Sequence, residues 1–359
     1  MSAEIPRRGK FTEDVKISLE RGVANLSRVG GSPELPLAKA LLASHSNVDW
    51  ERVNPKESGG ILGSTAAAMH YAHIKTGKGE EYLNFFGESD PKKWEGVIAT
   101  VLEDKAMSPI FYKNVGRPLT TVFPARRVPV EHVLDSAFGE SPIRGVDLGA
   151  GAHVTLPFLG SDQYLDTDGG EGYRQKRAEL IEQLGDPSRL NIQLGVGVDI
   201  QDGRKDPDWL RASALPTAAN KPIVEALGPL LADASRDGEK FPFRSADLRD
   251  TENSLTVIQA ITGANGKDPQ VDFVSSSFVR HQLGRDKATQ EKFTDLVNRL
   301  LAEGGVWIDM GEELLTQGDW TKSKVRVYKK EDDKLTSKGV PFVLRDFRYV
   351  EEVRLEYFS

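Results

Sequence analysis

A chain of 359 residues is long enough for one large domain or two smaller ones, and 38% hydrophobic against 28% charged residues is the balance of a globular protein with a buried core. The absence of cysteine excludes disulfides, thiolate zinc sites and cysteine nucleophiles together, and a net charge of −7 argues against nucleic acid as the partner. No run reaches the roughly 18 apolar residues of a membrane span, and the opening MSAEIPRRGKFTEDVK lacks the apolar centre of a signal peptide. The expected location is the cytoplasm.

Residues 1–140 read as helical. Val15, Ile17, Leu19, Val23 and Leu26 share a loose helical face within Phe11 to Ser27. Leu37, Ala38, Leu41 and Leu42 make a short helix after a proline start, and the alanine-rich stretch 61–77 ends at Gly77. Trp94 to Glu103 and Val130 to Phe138 add two more. His70 and His73, three apart on the alanine-rich helix, point the same way as two metal ligands could. No cysteine or nearby acid completes such a set, and no metal is expected. The segment Phe111 to Thr121 reads as a loop, with Asn114 and Arg117 placed to close over a ligand.

The organising stretch is Arg144 to Val154, RGVDLGAGAHV. An apolar run ending in Leu148 meets Gly149-Ala150-Gly151, and an apolar segment, Val154 to Leu159, resumes after it. The pattern predicts a strand, a glycine turn and the start of a helix, with turn N–H groups exposed to a ligand at the helix's positive end. Ligands of such α/β sheets sit at the carboxyl ends of strands. Two acids then compete for a ribose-binding position. Asp166, with Asp168 beside it, follows the glycine turn at a fitting distance, whereas Asp199 ends the alternating run NIQLGVGVDI. An ionised carboxylate accepts two hydroxyls at once, and Asp199 is preferred on its strand pattern; residues 162–190 would then be an insertion. Further strands end near Asp247, in FPFRSADL, and at Ser275 to Ser277, in VDFVSSSF. Asp247 and the serines could equally cap helices. KFTDLVNRLLAEGG predicts an amphipathic helix stopped by Gly-Gly, VWIDMGEELL the next strand, and the tail two alternating segments that pair antiparallel at the sheet edge.

GVDLGAGA, VDI, SADL and VSSSF, in this order, resemble the cofactor motifs of class I S-adenosylmethionine-dependent methyltransferases. More closely, the chain resembles an uncharacterised bacterial family with that fold, through the AAAMHYAH helix, VGVDIQDGRKDPDWLRASALP and VDFVSSSFVRHQL. It departs from that family in the turn, Gly149-Ala150-Gly151-Ala152 in place of a GASAG type, and in having only Ser275 to Ser277 where family members carry a histidine. VDLGAG followed by YLDTDGGEGYRQKRAELIEQLG is also similar to leucine-carboxyl-type methyltransferases, an alignment that favours Asp166 or Asp168.

The resemblance implies an α/β, Rossmann-like seven-stranded sheet with an antiparallel C-terminal pair, spanning residues 141–359, preceded by a helical region over 1–140 that forms the acceptor side. It implies S-adenosylmethionine as cofactor, with Asp147, Gly149 and Gly151 at its amino acid end, Asp199 or Asp166 at the ribose, Asp247 and Leu248 at the adenine, and Ser275 and Ser276 on the cleft floor. The partner would be a small-molecule or protein methyl acceptor. Where the acceptor must lose a proton, His153 or His281 could take it, and a helix N-terminus would keep His153 neutral. A nicotinamide oxidoreductase is disfavoured by the missing third glycine of GxGxxG. A methyltransferase-shaped binding or scaffold protein is the other reading.

Overall fold

The computed structural model describes residues 8–29, 35–53, 61–78, 89–117, 119–120, 122–169, 171–214, 221–262, 270–283, 286–312, 322–345 and 349–358. The chain divides into two units, one made of 1–121 with 206–224 and the other of 122–205 with 225–359. The division therefore does not fall at residue 140. Arg127–Phe138 belongs with the sheet, and 206–224 leaves it for the helical unit.

The helical unit holds Arg8–Val29, Leu35–Ala43, Ile61–Thr76, Pro91–Glu103, Met107–Asn114 and Pro207–Ser213. Local chemistry sets the ends: Asp90 accepts the Lys92 N–H at 2.9 Å and Pro91 opens the next helix, where its missing N–H costs nothing. Its core gathers Leu19, Leu41, Trp50, Met69, Trp94, Ile98 and Phe111, each such side chain contributing about 1.5–3 kcal/mol on burial. Ala67 lets Trp209 and Ala212 pack against Ile61–Thr76. Asp206 ties the returning segment down. It accepts the Trp209 N–H at 3.2 Å, Arg117 Nη1 at 2.8 Å and the Tyr71 hydroxyl at 3.2 Å, while the Arg117 guanidinium lies 4.3 Å over the Trp209 ring. Arg117 thus serves this clamp. Asn114, expected in a loop, ends a helix and donates from Nδ2 to Ile110 O at 2.8 Å. His70 and His73 are buried in the core, and burial holds His70 down at about 4. Among the described residues no cluster of acids and histidines suits a metal.

Among the described residues the sheet unit contains eight strands: β1 Pro142–Leu148, β2 Asn191–Asp199, β3 Phe243–Ser245, β4 Val271–Ser277, β5 Leu301–Glu312, β6 Lys322–Glu331, β7 Lys334–Arg345 and β8 Tyr349–Val353. Their order is β3-β2-β1-β4-β5-β6-β7-β8. The pairs from β3 through β5 are parallel and those from β5 through β8 antiparallel. This is the expected α/β class with its antiparallel C-terminal end. The tail supplies one strand more than the expected seven, because YVEEV pairs with β7 as β8. Asp332 and Asp333, both at positive φ, make the β6–β7 turn, where aspartate tolerates the left-handed region.

The inner parallel strands β1, β2, β4 and β5 carry buried apolar residues on both faces, as burial beneath two layers requires, whereas the edge strand β3 is exposed. One face carries Ile143, Phe273 and Ile308 beneath Arg127–Phe138 and Glu171–Leu184. The other carries Val146, Val198 and Val274 against Thr251–Thr262 and Lys287–Leu300. Two local expectations change. The helix Lys287–Leu300 ends before the glycines, since Leu301 already pairs with Val271, and Gly304 at φ 81° lies within β5. The apolar segment after the glycine turn forms only the short 3₁₀ turn Leu156–Phe158, so the β1–β2 crossover helix is Glu171–Leu184 itself, not an insertion.

A buried ionic network pins the segment following that 3₁₀ turn. Glu131, wholly buried, accepts Gly160 N and Arg177 Nε, each at 2.9 Å, and Arg177 also reaches Asp162. Arg127, likewise buried, donates to the carbonyls of Ser161, at 2.7 Å, and of Gln163.

Candidate functional site

The strand order reverses between β1 and β4, which opens a crevice at the carboxyl ends of the strands. Parallel pairing brings the predicted residues to it. Asp147 of β1 stands in register with Ser275 of β4, whose hydroxyl donates to its Oδ1 at 2.8 Å. Asp199 ends β2, and its Oδ2 accepts the Gly151 N–H at 2.9 Å while its Oδ1 accepts the Ile200 N–H at 2.6 Å. Acid and glycine turn are thereby one hydrogen-bonded unit. Burial raises the pKa of both acids, Asp147 to about 7, and the nearby Asp199 charge adds to the rise there.

The glycine turn differs from the expected cradle. Gly149 and Gly151 take φ of 74° and 56°, which glycine adopts without strain. The N–H groups of Gly149 and Ala150 both bond Val198 O, at 2.8 and 3.1 Å, and no helix begins at the turn. Helix-dipole arguments therefore do not apply there. Above Gly149 sits Val279, whose Cγ2 would lie 2.2 Å from an added Cβ.

His153, proposed as a base, is fully buried, with its Nδ1 2.3 Å from where a Gly197 Cβ would stand. It faces the backbone of Gly195 and Phe241, and burial, then Arg204, lowers its pKa to about 4. That environment keeps the ring neutral by desolvation, not by a helix terminus. His281 lies on the short helix Val279–Leu283, and its side chain falls outside the described residues, as does that of Asp168.

Asp166 starts the four-residue helix Asp166–Gly169 within the β1–β2 crossover and pairs with Arg174, away from any strand end. Asp247, after β3, holds Arg249 through both oxygens, with Nε at 2.9 Å and Nη2 at 2.7 Å, and this pairing lowers its pKa. It does not cap the following helix. Asp250 does, accepting Asn253 N at 3.2 Å. Leu248 is buried among Ala246, Leu255 and Val198. The serines cap nothing either: Ser276 donates to Asp309 Oδ1 at 2.9 Å and accepts from Trp307 Nε1 at 3.0 Å.

Three features escaped the sequence reading. Ile200, directly after Asp199, is 52% exposed, an apolar surface at the crevice. Phe278, directly after β4, holds φ 61°, a strained conformation for a bulky side chain, fixed by its N–H bond of 2.7 Å to Met310 O. Asp309 is buried in β5 and paired with Arg280 at 3.4 Å, and Arg280 also donates to Gln290 at 2.8 Å. A lone acid inside the apolar run VWIDM was the available signal for the last of these.

No protein-family model and no curated protein matches the sequence. Solved structures similar to it include PKMT2 from Rickettsia typhi in complex with AdoHcy, at 13% identity and TM-score 0.26, covering 55% of this chain and 27% of that one. SAM-bound CalS10, an amino pentose methyltransferase from Micromonospora echinaspora, is 12% identical at TM-score 0.26, covering 58% of this chain and 63% of that one. The chain therefore spans about a quarter of the first and less than two thirds of the second. The CurJ carbon methyltransferase is 14% identical at TM-score 0.29, with 86% and 74% covered.

Proposed function

We propose that the sheet unit binds S-adenosylmethionine at the carboxyl ends of β1, β2 and β4 and transfers its methyl group to a small-molecule or protein acceptor. The observation that carries this reading is the bonded unit of Asp199 and the glycine turn at the switch point of a parallel sheet. The donor set suits the ligand. Each Asp199 oxygen keeps a second lone pair for a ribose hydroxyl, Ile200 offers an apolar surface to a purine, and Asp147, near neutrality, can hold an ammonium through its carboxyl. Asp247 is assigned to the adenine amine and Leu248 to the pocket behind it.

The bound sulfonium would supply an electrophilic methyl for in-line displacement. The chain's own task is then orientation and exclusion of water. Ser275 fixes the Asp147 carboxyl, and Gly151 and Ile200 fix Asp199, so neither acid needs to reorganise. His153 is assigned to packing. His281 remains the histidine proposed to take an acceptor proton.

A binding protein without turnover is the second reading. Val279 over Gly149 and the buried His153 favour it. Calorimetric titration with S-adenosylmethionine and S-adenosylhomocysteine, with NAD as control, tests the cofactor. We expect both sulfur ligands to bind and Asp199→Ala to weaken each at least tenfold. Absence of binding by either would remove the cofactor assignment, and binding without turnover against acceptor panels would select the second reading.

A further inference from the structure

The loop after β2 and the turn before β3 line an open surface cleft of about 320 Å³, at the small end of the roughly 300–1,000 Å³ typical of small-molecule sites. Its aromatic lining is Phe241 and Phe243, and its charged lining is Arg204, Lys205, Arg244 and Asp202. In a chain of net charge −7 this is a concentration of positive charge, three cations against one acid.

The single acid is already matched. Asp202 takes Arg204 Nε at 2.8 Å and Nη2 at 3.0 Å, and the Arg204 guanidinium lies 5.4 Å from the centre of the Phe243 ring. Arg244 donates from Nη1 to Phe243 O at 2.9 Å and pairs with no acid among the described residues. Lys205 has no ion-pair partner among the described residues. Two cations with no acidic partner among the described residues line a cleft beside two phenylalanines, and raise the positive potential where an organic body can lie against the rings.

We infer that this cleft binds a small organic anion, a phosphate monoester or carboxylate carried on a compact apolar body, with Lys205 and Arg244 holding the anionic head beside the Phe241 and Phe243 rings. Its lining residues are distinct from those assigned to the cofactor. Gly203, which opens the turn ending in Lys205, donates its N–H to Gly151 O at 3.0 Å.

The test is calorimetric titration at fixed ionic strength with phenyl phosphate, benzoate and inorganic phosphate, on the wild-type chain and on Lys205→Ala/Arg244→Ala. Both side chains are exposed, and far-UV circular dichroism checks that the fold is kept. We expect saturable binding of phenyl phosphate or benzoate, tighter than inorganic phosphate, weakened at least tenfold in the double variant and unaffected by Asp199→Ala. Preference between the two organic probes identifies the head group. Equal binding by wild type and double variant, inorganic phosphate alone binding, or no binding by any probe would overturn the inference. Loss of binding in Asp199→Ala would do so as well, since it would place the anion in the crevice.

Discussion

Asp147→Asn separates the stability of the sheet unit from its proposed function. In the folded chain burial lifts the Asp147 pKa to about 7 from its ordinary value of 3.8. The folded protein therefore holds a proton that the unfolded chain releases between these values, and stability falls as pH rises across that window. Because 1 pKa unit corresponds to about 1.36 kcal/mol, ionisation of this group costs the fold on the order of 4 kcal/mol above pH 7, and about 2 kcal/mol is already lost at pH 5. Asparagine has the same shape, can still accept from Ser275 and does not ionise. Urea unfolding of both proteins from pH 5 to 8 is the assay, and titrating groups that do not interact with Asp147 cancel in the difference. The asparagine variant should gain about 2 to 3 kcal/mol relative to wild type between those limits while binding S-adenosylhomocysteine more weakly. A difference that stays flat with pH would show that the Asp147 carboxyl is ionised throughout, and would refute the account of its burial.

Gly149→Ala forces a side chain into φ 74° and within 2.2 Å of Val279 Cγ2; a loss of about 2–5 kcal/mol is expected, reduced in a Val279→Ala background, and thermal melts of the four proteins measure it. Arg177→Met leaves the buried Glu131 without its ion-pair partner and should cost roughly 3–5 kcal/mol in chemical denaturation, whereas adding Glu131→Gln should recover part of the loss. His132 is buried with neither ring nitrogen hydrogen-bonded among the described residues, and burial, then Arg177, lowers its pKa to about 4. Its contribution to stability is complete above about pH 6.5 and is lost as pH falls toward 4. His132→Leu should flatten that acid limb and stabilise the neutral protein by about 1 kcal/mol, and an unchanged limb would assign it to other groups.

Periodicity and glycine placement made the parallel core legible. GVDL, NIQLGVGVD and VDFVSSS lie in β1, β2 and β4 because each combines apolar, β-favouring residues with a polar residue that must reach the sheet rim. What stayed hidden depends on contacts between distant residues. The clamp of Asp206 by Arg117 and Tyr71 cannot be read from either sequence neighbourhood, so 206–224 was placed with the sheet. The histidine after the turn suggested catalysis, but the bare backbone of Gly197 creates the slot that buries it. Alternation alone could not show that the turn N–H groups bond Val198 O.

The excursion of 206–224 into the helical unit has a consequence for synthesis. Residues 1–121 leave the ribosome early, yet the partners that cover Ala67 and engage Tyr71, Trp209 above all, lie in a segment made about ninety residues later. The helical unit is completed only once β1 and β2 have also been made. Any nascent chain paused between residues 121 and 206 therefore exposes an apolar alanine-rich surface, the state that a chaperone would be expected to recognise.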